Sequence, residues 1–305
     1  MALISRRRFL MLTTATAGAG AISAADAFAV EPRLSLVLKE WTVEHPDWAA
    51  TAPALRIGVL TDIHAVEPWM SAHRISGIVD QLNAQKPDVI VLLGDYVNGL
   101  RPRYYSREIP VAEWIAPLQS LRAPLGVYAV LGNHDWWSGQ APEIRRAFRK
   151  SGIVLLENGA IKLGQGRDHF WIAGIKDQLA QASRGAWDLE ATLRRVSDRA
   201  PVILLAHEPD IFDYVPASVT LTLAGHTHGG QIYIPLVGRL GFFADNARYA
   251  RYAYGHFQRD GHHMIVSSGL GLSNIPVRFL VPPEIAIITL RHGERNINAP
   301  LIVRA

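Results

Sequence analysis

The sequence contains no cysteine among its 305 residues. A chain without cysteine forms no disulfide bonds and has no thiolate to offer a metal ion. Any metal that this protein binds must therefore be held by oxygen ligands or by imidazole nitrogens. Histidine is available for that purpose, since the chain has 12 histidines and all of them lie beyond residue 29.

Long apolar runs are also lacking at the start of the chain. The apolar stretch at residues 11–22 is shorter than the roughly 18 consecutive apolar residues that a membrane-spanning helix needs. Three arginines at positions 6–8 precede it, and the small-residue pattern Ala-Phe-Ala at residues 27–29 follows it. This order predicts a twin-arginine export signal over residues 1–29 and a location in the periplasm or cell envelope. A membrane tether is the alternative, and the sequence leaves cleavage of the signal open.

Clusters of one charge are scarce in the rest of the chain. The whole sequence has 31 basic and 27 acidic residues, and residues 1–29 hold three arginines and one aspartate, which leaves 28 basic and 26 acidic residues. A net charge of +2 without a basic stripe does not favour a nucleic-acid partner, and none is expected. No internal repeat or break in composition marks a second domain, so residues 30–305 are predicted to form a single domain.

Short apolar runs alternate with amphipathic stretches beyond residue 54, which indicates an α/β fold. Residues 55–60, 88–93 and 125–131 have the composition of buried strands, and residues 71–85 carry apolar side chains at helical spacing. Alternating leucines at residues 34–38 predict an edge strand ahead of them. Polar residues follow the carboxyl ends of five predicted strands. Ligand sites in α/β sheets assemble at that edge, so these polar residues are candidates for one shared site.

Each polar motif is weak evidence when it is taken alone. Asp62 and His64 have a spacing that sets both side chains on one side of an extended segment, but Asp-x-His is often only a turn. The Gly-Asp-x-x-Asn motif at residues 94–98 fits a strand-to-loop turn equally well. A lone His207 is more often a buried core histidine than a ligand. The His-x-His motif at residues 226–228 repeats the two-residue spacing and is the most suggestive single element.

The motifs taken together, in their order along the chain, are specific for one protein family, although each single motif is not. Asp-x-His, Gly-Asp-x-x-Asn, Gly-Asn-His-Asp, a single His and Gly-His-Thr-His follow successive predicted strands in this order. The set resembles the calcineurin-like metallophosphoesterase superfamily. Residues 269–271, 275–279 and 283–285 are similar to its bacterial YaeI/YkuE-like branch, whose members are often exported and are described as phosphodiesterases. The resemblance implies a four-layer α/β/β/α sandwich with two mixed β-sheets.

The resemblance also implies a centre of two divalent metal ions, each with its own ligands and with one carboxylate between them. The ligands of the first ion would be Asp62, His64 and His228. The ligands of the second ion would be Asn133, His207 and His226, and the bridge would be Asp95. Imidazole and carboxylate ligands suit Mn, Fe, Co, Ni or Zn, and the sequence does not choose among these metals.

By the same resemblance, a hydroxide shared by the two metal ions would hydrolyse a phosphoester, and His134 would be the general acid that protonates the leaving oxygen. Asn98 stands where protein Ser/Thr phosphatases have an aspartate, and its carbonyl is expected to orient the His134 imidazole without adding a charge. Asparagine is common here in the diesterase branches, so a phosphodiester is the expected substrate. Hydrolysis of a phosphomonoester stays open, because the same metal pair serves both reactions.

Two other functions stay open from the sequence. One is hydrolysis of a phosphate or diphosphate that is linked to a lipid or to the cell wall. The other is a non-catalytic binding protein of the cell envelope, which the presence of every expected ligand disfavours. Residues 236–257 mix aromatic and basic side chains. That mixture fits contact with a membrane surface, and it fits equally a long loop packed over a sheet.

Overall fold

The start of the described chain is helical. The computed structural model describes residues 26–100, 106–166, 168–179, 188–240 and 251–294. Most of the expected export signal, residues 1–25, lies outside the described residues. Its end belongs to a helical segment, Asp26–Val30, which continues into a short helix, Glu31–Leu34. Within the described ranges, no helix combines the length and the apolar character that crossing a membrane requires.

The first large sheet is mixed and has six strands. In spatial order these are β1 (Val37–Glu44), β18 (Glu284–Arg291), β2 (Leu55–Leu60), β4 (Val89–Leu92), β7 (Val127–Ala129) and β8 (Val154–Leu155). Strands β2, β4, β7 and β8 are mutually parallel, β18 is antiparallel to β2, and β1 is parallel to β18. The carboxyl ends of β2, β4 and β7 therefore lie at the same edge of this sheet.

The second large sheet is also mixed and has six strands. In spatial order these are β15 (Gly255–Arg259), β16 (His262–Val266), β12 (Leu221–Ala224), β11 (Val202–Leu205), β10 (Phe170–Gly174) and β9 (Gly159–Leu163). The four central strands are parallel, and the two outer strands run antiparallel to their neighbours. The carboxyl ends of β11 and β12 share one edge.

Short strand pairs and helices complete the fold. The pairs are β3 (Val66–Glu67) with β6 (Arg107–Glu108), β5 (Gly99–Leu100) with β17 (Ser273–Asn274), and β13 (Tyr233–Ile234) with β14 (Gly238–Arg239). The helices are Ala72–Ala84, Val111–Leu118, Asn133–Trp137, Ala141–Lys150 and Leu189–Leu193, with single turns at Pro209–Asp213 and His228–Gly230.

Alternating strand residues face opposite layers, as the period of a strand requires. In β4, Val91 packs in the core between the two sheets and Leu92 packs against the helices outside the first sheet. In β11, Ile203 faces the core between the sheets and Val202 faces the short helices outside the second sheet. The layers are therefore helices, sheet, sheet and helices, and the predicted four-layer α/β/β/α sandwich is confirmed.

The longest helix shows how the sequence produces an outer layer. It begins after Ser71, whose side chain accepts a hydrogen bond from the backbone N–H of Arg74, as an N-cap serine does. Its apolar residues recur at helical spacing and are buried against the first sheet. These residues are Ile75, Ile78, Val79 and Leu82.

Most predicted elements occur where the pattern places them, and the differences have physical causes. The strand predicted at residues 55–60 matches, and the helix predicted over residues 71–85 spans Ala72–Ala84. The edge strand expected at residues 34–38 is displaced, because Leu34 ends a helical turn and the strand begins at Val37. Strands β9 and β15 were not anticipated, since both are partly exposed edge strands without a continuous apolar run.

Candidate metal centre

The predicted site residues meet where the carboxyl ends of the two sheets face each other. They lie on five segments, and each segment follows a strand. After β2 come Asp62 and His64, after β4 comes Asp95, after β7 come Asn133 and His134, after β11 comes His207, and after β12 come His226 and His228. All of them except His134 and His226 are almost completely buried. The fold therefore assembles one polar, water-poor cluster out of residues that are far apart in sequence.

Five of the candidate ligands have left-handed backbone conformations. The φ angles are 53° at Asp62, 45° at His64, 56° at Asp95, 69° at His226 and 52° at His228. A side chain in this region costs about 1–2 kcal/mol relative to ordinary backbone, although Asp and His tolerate it better than most residues. Such strain clusters at functional sites, where the fold imposes a geometry that the local sequence does not prefer.

One group of ligand atoms consists of Asp62, His64 and His228. The Nε2 atoms of His64 and His228 are 3.1 Å apart, and Nε2 of His228 is 3.5 Å from Oδ1 of Asp62. One ligand atom from each of the three side chains lies within 4.8 Å of the others, so they can hold a metal ion. The sequence had assigned these three residues to one ion.

A second group consists of Asn133, His207 and His226. The Oδ1 atom of Asn133 is 3.1 Å from Nε2 of His207 and 2.9 Å from Nδ1 of His226. The two imidazole nitrogens are 3.3 Å apart. Two histidine nitrogens and an amide oxygen thus converge on one point, as the sequence expected for the second ion.

Asp95 lies between the two groups. Its Oδ2 atom is 3.5 Å from Nε2 of His64, in the first group, and 3.2 Å from Nε2 of His207, in the second. Gly132 makes this placement possible, because a Cβ atom there would lie 2.3 Å from Oδ1 of Asp95. The glycine of the Gly-Asn-His-Asp motif is therefore required for close approach of the carboxylate.

Backbone carbonyls orient two of the histidines. Nδ1 of His64 is 2.8 Å from the carbonyl oxygen of Val97, and Nδ1 of His207 is 2.7 Å from that of Leu93. A hydrogen bond to a carbonyl requires the proton on Nδ1, which turns Nε2 toward the cluster. Histidine ligands in metal sites are typically fixed in this way.

Burial sets the protonation of the cluster. It lowers the pKa of His64 to about 3 and that of His226 to about 4, so both imidazoles are neutral at ordinary pH. It raises the pKa of Asp62 to about 6. His207 behaves differently, because the ion pair with Asp95 outweighs burial and holds the pKa of His207 well above its usual range. The same pairing lowers the pKa of Asp95 against the effect of burial.

His134 stands beside the first group and is partly exposed. Its ring is 4.9 Å from the ring of His64, between centroids, and its backbone N–H donates to Oδ1 of Asp95 at 2.8 Å. Its Nε2 atom lies 3.5 Å from Oγ of Ser273. An imidazole that borders both the buried ligands and solvent is placed to exchange a proton with a bound molecule.

Asn98 does not make the contact that the sequence predicted. Its Oδ1 atom accepts a hydrogen bond from the backbone N–H of Leu100 at 2.9 Å, and it is not bonded to His134 in the described structure. An asparagine side chain competes well for a backbone N–H two residues ahead, which is the geometry of an Asx turn. That turn leads into β5, which pairs with the strand that carries Ser273. The link between the Asn98 turn and His134 therefore runs through the pairing of Gly99 with Ser273.

Asp135 is a buried site residue to which the sequence analysis gave no role. Its carboxylate accepts hydrogen bonds from the backbone N–H groups of Gly132, Asp95, Tyr96 and Val97. It thereby ties the loop after β4 to the loop after β7. The last position of the Gly-Asn-His-Asp motif was the available signal, since a buried aspartate must find donors.

Arg278 is the second residue that the sequence analysis missed, and it is fully buried. Its guanidinium donates to the carbonyl oxygens of Gly271, Val281 and Ser268 at 2.8–3.0 Å, and its Nη2 atom is 3.4 Å from Nδ1 of His228. The carbonyls of Ser268 and Gly271 belong to the loop that covers Asp62, and the carbonyl of Val281 belongs to a second loop. The arginine therefore holds one wall of the first group in place.

Residues next to the motifs lie at the margin of the site or outside the described structure. Trp137 is exposed and its ring is 5.4 Å from that of His134, whereas Trp136 lies under the guanidinium of Arg145. The arginines and tyrosines at residues 101–105 fall outside the described residues. So do residues 241–250, the middle of the aromatic and basic stretch.

The donor set fits divalent metal ions. Buried carboxylates, imidazole nitrogens and one amide oxygen converge with their lone pairs facing one another, and such a cluster without a cation is costly. Imidazole and carboxylate are the ligands that Mn, Fe, Co, Ni and Zn accept. The geometry therefore suits divalent cations, and it divides the ligands into two groups that share Asp95.

Comparison with known proteins gives the same result as the geometry. The family described as calcineurin-like phosphoesterase matches residues 55–230. YkuE of Bacillus subtilis, an uncharacterized metallophosphoesterase, is 32% identical over 299 residues, which cover 94% of this chain and 98% of YkuE. An uncharacterized metallophosphoesterase of Aquifex aeolicus is 30% identical over 245 residues, which cover 79% of this chain and 87% of that protein.

A solved structure of a dimetal phosphatase from Danio rerio aligns over 78% of this chain and 93% of its own, at 14% identity and a TM-score of 0.41. The matched family region spans every candidate ligand and His134. The chain therefore belongs to the calcineurin-like metallophosphoesterase family.

Proposed function

We propose that this protein is a phosphodiesterase that depends on two divalent metal ions. The observation that carries the proposal is the position of Asp95, whose carboxylate reaches His64 in one ligand group and His207 in the other. A shared carboxylate between two groups of histidines is the arrangement that a pair of neighbouring ions needs. The two groups correspond to Asp62, His64 and His228 for one ion, and Asn133, His207 and His226 for the other.

The protein's part in the reaction is to hold charge and to move a proton. Bound divalent ions would supply positive charge for the phosphate oxygens and a water molecule of lowered pKa. The chain's own residues fix the geometry. The carbonyls of Val97 and Leu93 set the direction of two imidazoles, and Asp135 locks the loop that carries Asp95.

His134 supplies the proton that the leaving oxygen takes. It is the one histidine of the cluster that lies next to the candidate ligands without belonging to either group in our assignment. Its partial exposure lets it reach a bound ester, and Ser273 stands at the Nε2 atom. Proton donation by a positioned imidazole typically accelerates such a step by about 10²–10⁴-fold.

The preference for a diester rests on the family resemblance, because Asn98 stands where protein Ser/Thr phosphatases have an aspartate. Arg278 is next to the first ligand group, but it is fully buried and its donors are directed to backbone carbonyls. Arg278 is therefore not available to bind the substrate phosphate.

The cellular setting belongs to the same proposal. The arginines and the short apolar run at the start of the chain support export by the twin-arginine machinery to the periplasm or cell envelope. The near-neutral charge beyond residue 29 gives no support for a nucleic-acid partner. A substrate linked to a lipid or to the cell wall is a second candidate, and the exposed apolar surface described below favours it.

The test is hydrolysis of bis(p-nitrophenyl) phosphate against p-nitrophenyl phosphate. The protein is stripped of metal and then loaded with Mn, Fe, Co, Ni or Zn. We expect metal-dependent cleavage that prefers the diester. His134→Ala should lower kcat by about 10²–10⁴-fold while the bound metal is unchanged.

His73→Ala is the matched control, because His73 is exposed on the helix Ala72–Ala84, and it should retain full activity. Undiminished activity of His134→Ala would refute its role as general acid. A protein with two ions bound that cleaves neither ester would favour the non-catalytic binding protein instead.

A further inference from the structure

Exposed large apolar side chains are concentrated in one part of the molecule. Seven of the twelve such residues in the described structure come from residues 28–34, 233–237 and 280. Leu236 is fully exposed and Val237 is 69% exposed, at the tip of the hairpin formed by β13 and β14. Scattered exposed leucines need no explanation, but a cluster of this kind marks an interaction surface.

The three segments are joined through their backbones. The N–H of Tyr233 donates to the carbonyl of Phe279 at 2.8 Å, and the N–H of Arg278 donates to the carbonyl of Ala27 at 2.9 Å. The Glu31 carboxylate accepts from the N–H of Leu280 at 2.8 Å. The hairpin, the segment around Leu280 and the helical start of the chain therefore form one continuous surface, called here the apolar face.

The backbone of the apolar face is strained at two of its exposed leucines. Leu236 has φ of 71° and Leu280 has φ of 55°, both in the left-handed region. A leucine pays about 1–2 kcal/mol there relative to ordinary backbone. Burial in the core does not compensate for that cost, since Leu280 is 49% exposed and Leu236 is fully exposed. Strain that packing does not explain is typical of a functional surface.

The start of the chain indicates what covers this face. The described segment that begins at residue 26 lies on it, and residues 1–25 precede this segment in the sequence. Those residues contain the apolar run 11–22 and the three arginines ahead of it. A leader with this composition partitions into membranes, and the exposed Arg33 adds a positive charge beside the apolar side chains.

We propose that the apolar face docks on a phospholipid bilayer, with Leu236, Val237 and Leu280 inserted among the lipids. The proposal does not depend on catalysis, because none of these residues belongs to the metal centre. The part that enters the lipid is the hairpin tip, residues 235–237, which lies at the start of the aromatic and basic stretch 236–257.

A chain of contacts connects the apolar face to the metal centre. The hairpin follows Gln231, whose Oε1 atom accepts from the N–H of Ser273 at 2.7 Å. Ser273 in turn contacts His134, the general acid that we propose.

The absence of cysteine makes a direct test possible. Single variants Leu236→Cys, Leu280→Cys and Val154→Cys of the full chain each accept one environment-sensitive fluorophore. Val154 is the matched control, because it is 40% exposed and lies on β8, at the edge of the first sheet opposite to β1. The labelled proteins are mixed with vesicles of phosphatidylcholine and phosphatidylglycerol that carry a nitroxide lipid.

We expect the labels at positions 236 and 280 to shift to the blue and to be quenched by the nitroxide, and the label at 154 to do neither. Leu236→Asp should lower the partition of the protein to vesicles by about tenfold, since it removes one leucine side chain that would be inserted in the lipid. Aspartate tolerates the left-handed backbone at this position, so the variant should fold.

Two results would overturn the proposal. One is unchanged fluorescence of the label at position 236 when the protein has bound to the vesicles. The leader would then attach the protein to the membrane without the apolar face. The other is a blue shift at position 236 before vesicles are added, because the leader or a second copy of the chain would then cover the face in solution.

Discussion

The Nε2 atom of His207 lies 3.2 Å from Oδ2 of Asp95, and this buried pair joins the two groups of candidate ligands. The pairing holds the pKa of His207 well above its usual range, so His207 carries a proton at neutral pH. A cation that binds to His207 must displace that proton. The metal centre is therefore expected to exchange protons for metal ions.

Metal binding should release protons in two pH ranges. At neutral pH the released proton comes from His207. Burial raises the pKa of Asp62 to about 6, so Asp62 becomes protonated as the pH falls through that value and adds a second displaced proton. Metal affinity should therefore fall more steeply below about pH 6 than above it. Calorimetry in buffers of different ionisation enthalpy measures the released protons.

Asp62→Asn is the control for this assignment. It should abolish the acidic step and keep the proton release at neutral pH. A count of released protons that is the same at pH 5 and pH 7 in the unmodified protein would contradict the role of Asp62.

Arg278→Lys should weaken one metal site and leave the other. Lysine keeps the charge but loses the planar fork that binds the carbonyls of Gly271, Ser268 and Val281. Because these carbonyls shape the wall beside Asp62 and His228, affinity for one ion of the pair should fall by about 10–100-fold. Metal content after gel filtration should drop toward one ion per chain.

Arg74→Lys is the matched control for that experiment. The Arg74 guanidinium also binds backbone carbonyls, those of Pro32, Trp69 and Ser35, but it contacts no candidate ligand. It should lower the free energy of unfolding without changing the metal content. Equal loss of metal in both variants would mean that Arg278 acts on metal binding only through the general stability of the fold.

Asn98→Asp should leave the basic limb of the pH–rate profile where it is. The Asn98 side chain faces the N–H of Leu100, and a carboxylate oxygen can accept the same hydrogen bond. Ser273→Ala should instead lower kcat about fivefold, as the loss of one modest hydrogen bond does, because Ser273 is the residue at Nε2 of His134. An upward shift of the basic limb in Asn98→Asp would restore the direct pairing with His134 that the sequence suggested.

His262→Phe should make the fold less sensitive to acid. His262 is buried in β16, neither ring nitrogen has a hydrogen-bond partner among the described residues, and burial lowers its pKa to about 4. An ordinary histidine takes up a proton near pH 6.5. As the pH falls, His262 is therefore protonated in the unfolded chain before it is protonated in the native state. The native state therefore loses stability as the pH falls from about 6.5 to about 4. Urea unfolding at pH 7 and pH 5 measures the difference.

Thr222→Val is the non-titrating control for this prediction. Thr222 lies on the neighbouring strand β12 and its hydroxyl is also buried without a partner. Its replacement should change stability equally at both pH values. If the stability of His262→Phe falls with pH as much as that of the unmodified protein, other histidines cause the acid sensitivity.

Sequence patterns predicted the parts of this protein that depend on local periodicity. Strand β4 lies within the apolar run predicted at residues 88–93, and its alternation between two layers follows from strand geometry. The convergence of His207 and His228 was also predictable, because parallel strands of one sheet deliver their carboxyl ends to one edge. Asp62 follows a strand of the other sheet, so strand geometry alone does not bring it to them. The family resemblance supplied the grouping of these residues.

The contacts that sequence patterns missed depend on tertiary structure. The role of Arg278 depends on hydrogen bonds to carbonyls on two loops. Its sequence neighbours Val277 and Phe279 do not predict these hydrogen bonds. Asn98 illustrates the opposite case, in which a plausible partner lost to a nearer one. The N–H of Leu100 is two residues away, so the Asx turn forms at little entropic cost.

The metal centre spans the boundary between two sheets. The first sheet contributes its ligands through the loops after β2, β4 and β7, and the second contributes through the loops after β11 and β12. Ions held there would fasten the two halves of the sandwich at their shared edge, in a chain with no disulfide to do so. Since a ligand that binds only the native state stabilises it by mass action, the lifetime of the folded protein would follow the supply of metal around it. Scarcity of metal would then limit the amount of this protein as well as its activity.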